Sequence, residues 1–165
     1  MDIERRHELW LLYRILDKLE PDQGWDRSAE VIRQGLEPEY SDLTVHFHEP
    51  VTKDDANFLH TVFSRLEALR DSITALGLSD DSLRHRATFM GFDFNDSYER
   101  RLAGYAEFLF NDGRWESQRP SHGLNSHSPR VDRYRAIISN FTSYDPRRDY
   151  RKAPLTEEEI RDILD

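Results

Sequence analysis

The chain has 165 residues, no cysteine and a formal charge of −9, with 33% charged and 37% hydrophobic residues. This length suits one domain with one core. The absence of cysteine excludes disulfides, thiolate nucleophiles and cysteine-based zinc or iron–sulfur sites. The negative charge disfavours unspecific binding to nucleic acid or anionic lipid. Since there is also no signal peptide and no long uncharged apolar run, we expect an acidic cytoplasmic protein without membrane association.

The first predicted element is a helix over residues 5–19. Its four leucines recur at a spacing that places them on one side of the helix: Leu9, Leu12, Leu16 and Leu19. Trp10, Leu11 and Ile15 widen the apolar surface beyond what one buried face needs. Such a helix either lies deep in a core or is covered by a partner chain. We expect these three residues to form the interface of a homo-oligomer, and the alternative is a deeply buried helix.

A second predicted helix, over about residues 26–34, ends at Gly35, a residue suited to the left-handed conformation that follows many helices. Residues 43–48 then alternate apolar and polar side chains, which is typical of a half-buried strand. Because the sequence has no second run of this kind, the segment is predicted to be isolated or to pair with its own copy.

The most complete helical pattern covers residues 53–76. It begins after Thr52, which is suited to the N-cap, and ends at Gly77. Seven apolar residues form one stripe along it: Leu59, Val62, Phe63, Leu66, Leu69, Ile73 and Leu76. At a length of about 36 Å, this helix is predicted to be the scaffold of the domain.

Three further helices are predicted in the second half of the chain. One runs from a cap at Asp93 or Asn95 to about Asn111, and the next begins at Ser128-Pro129. The last begins at a capping box formed by Thr156 and Glu159, with Leu155 and Ile160 placed as a hydrophobic staple. The sequence therefore predicts an all-α fold: a multihelical single domain over residues 1–165, with about six helices and at most one short extended segment.

Several motifs match one known family in their order and nearly in their spacing: Thr88-Phe89-Met90-Gly91-Phe92-Asp93, Gly104-Tyr105, Gly113-Arg114-Trp115 and His122-Gly123-Leu124-Asn125. On these segments the chain resembles the YfbU family of small bacterial helical proteins, whose molecular function is uncharacterised. The resemblance covers most of the chain and implies an all-α, self-associating protein, but it supplies no catalytic residues. Residues 37–50 depart from it, because relatives tend to be continuously helical where this chain has Pro38 and Pro50.

Residues 112–128 form a long segment without periodicity, and loops of this length often carry function. In this segment Arg114 could bind an anion with its planar guanidinium, and His122 could transfer a proton near neutral pH. Asn125 could hydrogen-bond an amide or a hydroxyl group. The segment is therefore the first candidate for a ligand-binding site.

Arg86 and Asp93 flank the turn at Gly91, and they would complete a polar cleft if that turn lies beside the loop. This hypothesis predicts a site for a small anionic ligand between the Gly91 turn and residues 112–128. The alternative is structural, because polar side chains of a loop commonly satisfy backbone groups and Asp93 could simply cap a helix.

Two other patterns favour a structural interpretation. His46 and His48 share a face of the predicted strand, but no carboxylate or further histidine motif accompanies them, so no metal site is predicted. Aromatic and basic residues interleave over 144–152, a pattern that suits single-stranded nucleic acid. Asp145 and Asp149 dilute this positive charge, so we expect a solvated linker rather than a nucleic-acid site.

The sequence contains no Walker phosphate loop, no dinucleotide-binding fingerprint and no Gly-x-Ser-x-Gly elbow. No catalytic residue and no cofactor is therefore predicted. The leading hypothesis is a self-associating interaction or regulatory domain without catalysis. The rival hypothesis is a protein or enzyme that binds a small molecule in the cleft described above, with the ligand itself unknown.

Overall fold

The computed structural model describes residues 1–44, 49–141, 150 and 152–165. Seven α-helices occur in these residues: α1 Ile3–Leu19, α2 Trp25–Gln34, α3 Lys53–Ala75, α4 Asp81–Arg86, α5 Ser97–Asn111, α6 Val131–Phe141 and α7 Glu157–Leu164. Two 3-10 helices cover Glu37–Thr44 and Glu116–Gln118. Within the described residues, the only β-type pairing is one isolated bridge between Phe92 and Asn125, so the all-α prediction is confirmed.

All six predicted helices are present, and α4 is an additional one. Asp80 caps α4, since its carboxylate accepts hydrogen bonds from the backbone of Ser82 and Leu83. Leu83 is the single buried residue of this helix. With six residues and one buried side chain, α4 is too short to produce a periodic apolar pattern in the sequence.

The predicted strand over residues 43–48 was wrong for its first two residues. Leu43 and Thr44 end the 3-10 helix Glu37–Thr44, so these two residues are not part of a strand. Pro38 near the start of that helix has its φ angle restricted to a helical value, which favours a tight turn over extended backbone. Residues 45–48, including both histidines of the predicted strand, lie outside the described residues.

The N-cap of α5 is Asp96, not Asp93 or Asn95. The Asp96 side chain accepts a hydrogen bond of 2.8 Å from the backbone N–H of Glu99. Asp93 instead accepts from the backbone N–H of Asn95, at 2.9 Å. The two predicted caps thus form a turn before the helix, and the next acidic residue along the chain caps it.

The contacts divide the chain into two compact units, residues 1–49 and residues 50–165. In the first unit α1 packs along α2. Arg6 of α1 donates from Nε and Nη2 to the carbonyl oxygens of Ile32 and Arg33, at 3.1 and 2.7 Å. The buried hydrophobic residues of this unit are Ala29, Val31 and Ile32. Helix α1 has no buried residue, so the alternative of a deeply buried first helix is wrong.

In the second unit α3 is the scaffold, because α4, α5, α6 and α7 all pack against it. Its core contains a cluster of aromatic rings in mutual contact: Phe63, Phe89, Phe92, Phe110 and Tyr134. The predicted caps at Thr52 and Thr156 are both present as capping boxes, and Leu155 and Ile160 are fully buried. The prediction of one domain over residues 1–165 stays a prediction.

Candidate functional site

The Gly91 turn and the loop at residues 124–126 are joined through their backbones. The N–H of Phe92 donates to the carbonyl oxygen of Leu124 at 2.8 Å, and the N–H of Ser126 donates to that of Phe92 at 2.9 Å. Gly91 has a φ of +78°, and an added Cβ there would lie 2.1 Å from the Leu124 carbonyl oxygen. The two predicted parts of the cleft are therefore in direct contact, and only glycine permits this approach.

Asp93 and Asn125, two of the predicted site residues, lie at this junction and bond to nearby backbone groups. The Oδ1 atom of Asp93 accepts from the backbone and side-chain nitrogens of Asn95, at 2.9 and 3.0 Å. The Oδ1 atom of Asn125 accepts from the N–H of His127 at 3.0 Å and from that of Phe94 at 3.4 Å. Both side chains therefore make the contacts that the structural interpretation requires.

Glu99 of α5 is buried beside the same junction. Its Oε2 accepts from the backbone N–H of Asp93 at 2.7 Å. Its Oε1 accepts from the N–H groups of Arg130 and Val131 at the start of α6, at 2.7 and 2.9 Å. A carboxylate in this position satisfies free N–H groups and interacts favourably with the N-terminal end of the helix dipole. Glu99 thus connects the Gly91 turn, α5 and α6.

Tyr134 of α6 holds the other side of the Gly91 turn. Its hydroxyl accepts from the N–H of Met90 at 3.0 Å and donates to the carbonyl oxygen of Gly91 at 3.0 Å. Burial raises the pKa of this phenol well above its ordinary value, because the site disfavours a charged phenolate. The hydroxyl therefore stays protonated and serves as both donor and acceptor.

The other three predicted site residues have different surroundings. Arg86 forms an ion pair with Asp165 at 2.8 Å and also donates to the carbonyl oxygen of Leu164. Arg114 pairs with Asp112 at 2.8 Å and is exposed. His122 is exposed as well.

Among the described residues, no hydrogen bond or ion pair joins Arg86, Arg114 or His122 to the junction. The structure therefore brings Asp93 and Asn125 together and gives the remaining three no polar contact with them. The anion-binding cleft stays a prediction, and its residues already have contacts that account for their presence.

Trp115, in the loop at residues 112–128, belongs to a second polar cluster that the sequence analysis did not predict. The indole Nε1 of Trp115 donates to Nδ1 of His60 on α3 at 3.0 Å. Nε2 of His60 lies 3.3 Å from the hydroxyl of Tyr105 on α5. Because an indole N–H can only donate, Nδ1 of His60 is unprotonated and the proton of the neutral ring resides on Nε2. The cluster therefore sets one tautomer of His60.

Trp115 has a φ of +58°, which residues other than glycine rarely adopt. Its ring packs on Phe63 and His60, with centroid distances of 5.6 and 6.1 Å. The sequence carried a weak signal for this cluster, since polar residues recur at helical spacing along one side of α3, as they do on most amphipathic helices. The partners are 55 residues apart, and no local pattern indicates their contact.

The surface of α1 is the third candidate. Four apolar residues lie along one exposed stripe of this helix, which we call the α1 stripe: Leu11, Leu12, Ile15 and Leu19. Their exposed fractions lie between 45% and 72%. Of the three predicted interface residues, Leu11 and Ile15 therefore belong to this stripe. Trp10 is half-buried and lines an open groove of about 560 Å³ with Ile32 of α2.

Within the described ranges, no group of three or more histidine, aspartate or glutamate side chains is placed to hold a metal ion. No helix in the described part of the chain has the length and apolar content needed to cross a bilayer. Of the predicted basic and aromatic segment, Tyr150 and Lys152 are described, and the Tyr150 ring packs on Phe141 at a centroid distance of 5.6 Å. The remainder of that segment lies outside the described residues.

Two comparisons with known proteins agree with each other. A family model described as the YfbU domain matches residues 1–165. The chain is also similar to a UPF0304 protein of Methanocaldococcus jannaschii, with 24% identity over 159 residues. That alignment covers 92% of this chain and 91% of the relative. The similarity thus extends over both compact units.

Proposed function

Because the chain belongs to the YfbU family, whose molecular function is uncharacterised, we propose a function from its surface: a self-associating interaction protein of the cytoplasm. In this proposal the α1 stripe of one copy packs against the α1 stripe of a second copy. The observation that carries the proposal is the exposure of Leu11, Leu12, Ile15 and Leu19 on one side of a helix that buries no residue.

Energetic considerations support a second copy as the cover for this stripe. Full burial of a leucine or isoleucine side chain contributes about 1.5–3 kcal/mol relative to the exposed state. Because the four side chains are 45–72% exposed, burying them on each of two copies adds about half of this value per side chain, and this term opposes the loss of translational and rotational freedom on association. The described part of the unit formed by residues 1–49 has three buried hydrophobic residues, so this unit gains most from such a cover.

The charges of α1 also favour a second copy of the chain, rather than a lipid surface, as the partner that covers the α1 stripe. Helix α1 carries four basic and three acidic side chains, so it lacks the strongly basic face of helices that lie on anionic membranes. Glu8 lies on the N-terminal side of the α1 stripe and Lys18 on its C-terminal side. If two α1 helices pair antiparallel about an axis between Leu12 and Ile15, Glu8 of each copy lies beside Lys18 of the other.

Sedimentation velocity of the full chain at micromolar concentration tests this proposal. We expect the wild type to sediment as a dimer and Leu11→Asp to raise the dissociation constant by about 100-fold or more, because two charges would enter an apolar interface. Leu76→Asp is the matched control, since Leu76, at the C-cap of α3, is 42% exposed and Leu11 is 45% exposed. A wild type that stays monomeric, or a Leu11→Asp variant that associates normally, contradicts the proposal.

A charge-reversal cycle tests the antiparallel geometry. Glu8→Lys and Lys18→Glu each place like charges side by side in the proposed dimer, and we expect each to weaken association by several-fold. The double variant restores opposite charges and should return the dissociation constant close to that of the wild type. If the dissociation constant of the double variant is the one expected from adding the effects of the two single substitutions, the antiparallel pairing is excluded.

A further inference from the structure

We propose that the polar pocket beside Trp115 binds a small molecule that carries a carboxylate or phosphate group, with Arg65 as its anion-binding residue. This pocket, called here the α3 pocket, has a volume of about 480 Å³. It is lined by five residues of α3 and by one residue of the loop after α5: Asn57, His60, Thr61, Ser64, Arg65 and Trp115. None of these residues belongs to the α1 stripe or to the five predicted site residues.

Arg65 is a cation without a countercharge among the described residues. Its Nε atom is buried and has no hydrogen-bond partner there. One face of its guanidinium packs on the Phe141 ring, with 5.0 Å between the guanidinium carbon and the ring centroid. Because protein atoms enclose Nε, a ligand would bind through the terminal Nη1 and Nη2 groups, which form no described hydrogen bond and match the geometry of carboxylate and phosphate oxygens. The position is therefore suited to a bound oxyanion.

Arg101, on the neighbouring helix α5, is an arginine that does have a protein carboxylate beside it. Its Nη2 atom lies 3.6 Å from the carboxylate of Asp55. A protein carboxylate therefore already compensates the charge of Arg101. At Arg65 the described residues supply no such group, which leaves the countercharge to a ligand.

His60 and Trp115, which also line the α3 pocket, are joined by a hydrogen bond. The hydrogen bond from Trp115 to Nδ1 of His60, and the contact of Nε2 with Tyr105, hold the imidazole in one tautomer. The left-handed backbone at Trp115 is a strained conformation that keeps the indole over His60. A neutral His60 adds no second positive charge, so the anion is held mainly by Arg65.

The remaining lining groups fit a small oxyanion as well. Thr61 donates its hydroxyl proton to the carbonyl oxygen of Asn57 at 2.7 Å, whereas Ser64, one turn closer to Arg65, has no described hydrogen bond. The Ser64 hydroxyl is therefore available to donate to a ligand oxygen. Part of Trp115 is accessible from the pocket, so a planar ring attached to the anionic group could pack against the indole. A single histidine beside an arginine favours an anion over a metal cation.

Two-dimensional ¹H–¹⁵N NMR of the full chain tests the proposal. Sodium benzoate and inorganic phosphate are titrated separately against sodium chloride of equal ionic strength. We expect the indole N–H signal of Trp115 to shift saturably with at least one of the two anions, while the indole signals of Trp10 and Trp25 stay unchanged. Single Trp10→Phe and Trp25→Phe variants assign the three indole signals without altering the α3 pocket.

Three variants decide the role of Arg65. Arg65→Gln should weaken binding at least 10-fold, and Arg65→Lys, which keeps the charge without the planar group, should weaken it less. Arg100→Gln is the matched control, because Arg100 is exposed on α5 with no described side-chain bond, and it should bind as the wild type does. Saturation with benzoate alone assigns a carboxylate with a ring, and saturation with phosphate alone assigns a phosphate group.

The proposal is overturned if neither anion produces a saturable shift of the Trp115 signal. It is also overturned if Arg65→Gln, with the remainder of its spectrum unchanged, binds as tightly as Arg100→Gln. Since Arg65 and the α1 stripe belong to different units, a failure of this test leaves the proposal of self-association unaffected, and the reverse also holds.

Discussion

The two compact units of the chain differ most in where they place their apolar side chains. Among the described residues of 50–165, twenty-four hydrophobic residues form one buried core. Among those of 1–49 three hydrophobic residues are buried, while α1 keeps five large ones exposed: Ile3, Leu11, Leu12, Ile15 and Leu19. Units of this small size rarely bury enough surface to be stable alone. The described residues of the second unit therefore form an apolar core of their own, whereas α1 of the first unit keeps an apolar face exposed.

The two units also differ in where their charged side chains form contacts. In residues 50–165 the buried carboxylate of Glu99 accepts three backbone hydrogen bonds. In residues 1–49 the charged side chains pair mainly at the surface, for example Arg5 with Glu8 and Arg33 with Glu30. Exposed pairs contribute about 0–1 kcal/mol each, whereas a buried hydrogen-bonded carboxylate is costly to remove. Substitutions in the second unit should therefore have the larger effects on stability.

The largest expected effect is that of Glu99→Ala. The substitution leaves the N–H groups of Asp93, Arg130 and Val131 without an acceptor, and each such buried group costs about 1–3 kcal/mol. We expect the free energy of unfolding, measured by urea titration, to fall by about 4 kcal/mol. Glu107→Ala, at an exposed position of the same helix, should change it by less than about 0.5 kcal/mol. Equal effects of the two substitutions would contradict the structural role of Glu99.

Substitutions at Gly91 and Gly104 are expected to change the free energy of unfolding in opposite directions. Gly91→Ala forces a Cβ against the carbonyl of Leu124 and into a left-handed conformation, so we expect a loss of about 3 kcal/mol in urea unfolding. Gly104→Ala lies within α5 and meets no atom within 4 Å, so it should stabilise by about 0.5–1 kcal/mol. If Gly91→Ala is neutral, the close contact between the turn and the loop is not present in solution.

In the first unit the expected effects are smaller and local. Arg6→Met removes two hydrogen bonds to the carbonyl oxygens at the end of α2, and we expect a loss of about 1.5 kcal/mol. Hydrogen exchange should be faster for the amides of α2 and unchanged for those of α3 and α5. Arg5→Met, which removes only an exposed pair with Glu8, serves as the control and should leave exchange in α2 close to that of the wild type.

The smallest expected effect concerns acid pH and Asp55 at the start of α3. Burial raises the pKa of Asp55, but hydrogen bonds from Thr52 and Tyr98 and the charge of Arg101 outweigh it, so the pKa is lowered. A carboxyl whose folded pKa is depressed stabilises the fold above its unfolded pKa of about 3.9, and this contribution is lost as the pH falls through the folded pKa.

Asp55→Asn should therefore lower the unfolding free energy at pH 7 by about 1 kcal/mol and make its decline below about pH 4 shallower. Asp54→Asn, at the adjacent exposed position, is the control. The pH dependence is measured from urea titrations at a series of pH values. A decline for Asp55→Asn as steep as that of the wild type would exclude a role of this carboxylate in acid stability.

The candidate-site prediction concerned two segments that the structure joins, while the anion-binding role of their side chains stays a prediction. The Gly91 turn and Asn125 do meet, as the predicted cleft requires, but their polar groups bond to backbone atoms. Glu99 was not singled out, because an acidic residue in the first turn of a helix is ordinarily a solvated group that interacts with the helix dipole. Only its position against the start of α6 shows that it is a buried acceptor.

The sequence by itself determined six of the seven described helices and the starts of α3 and α7, since the spacing of apolar residues and the caps at Thr52 and Thr156 act over a few residues. It also indicated that α1 has more apolar surface than one buried face needs. Only the tertiary structure decided that Glu99 lies against α6 and that His60 meets Trp115. These contacts join residues more than thirty positions apart, and their energies depend on how helices pack rather than on any local pattern of residues.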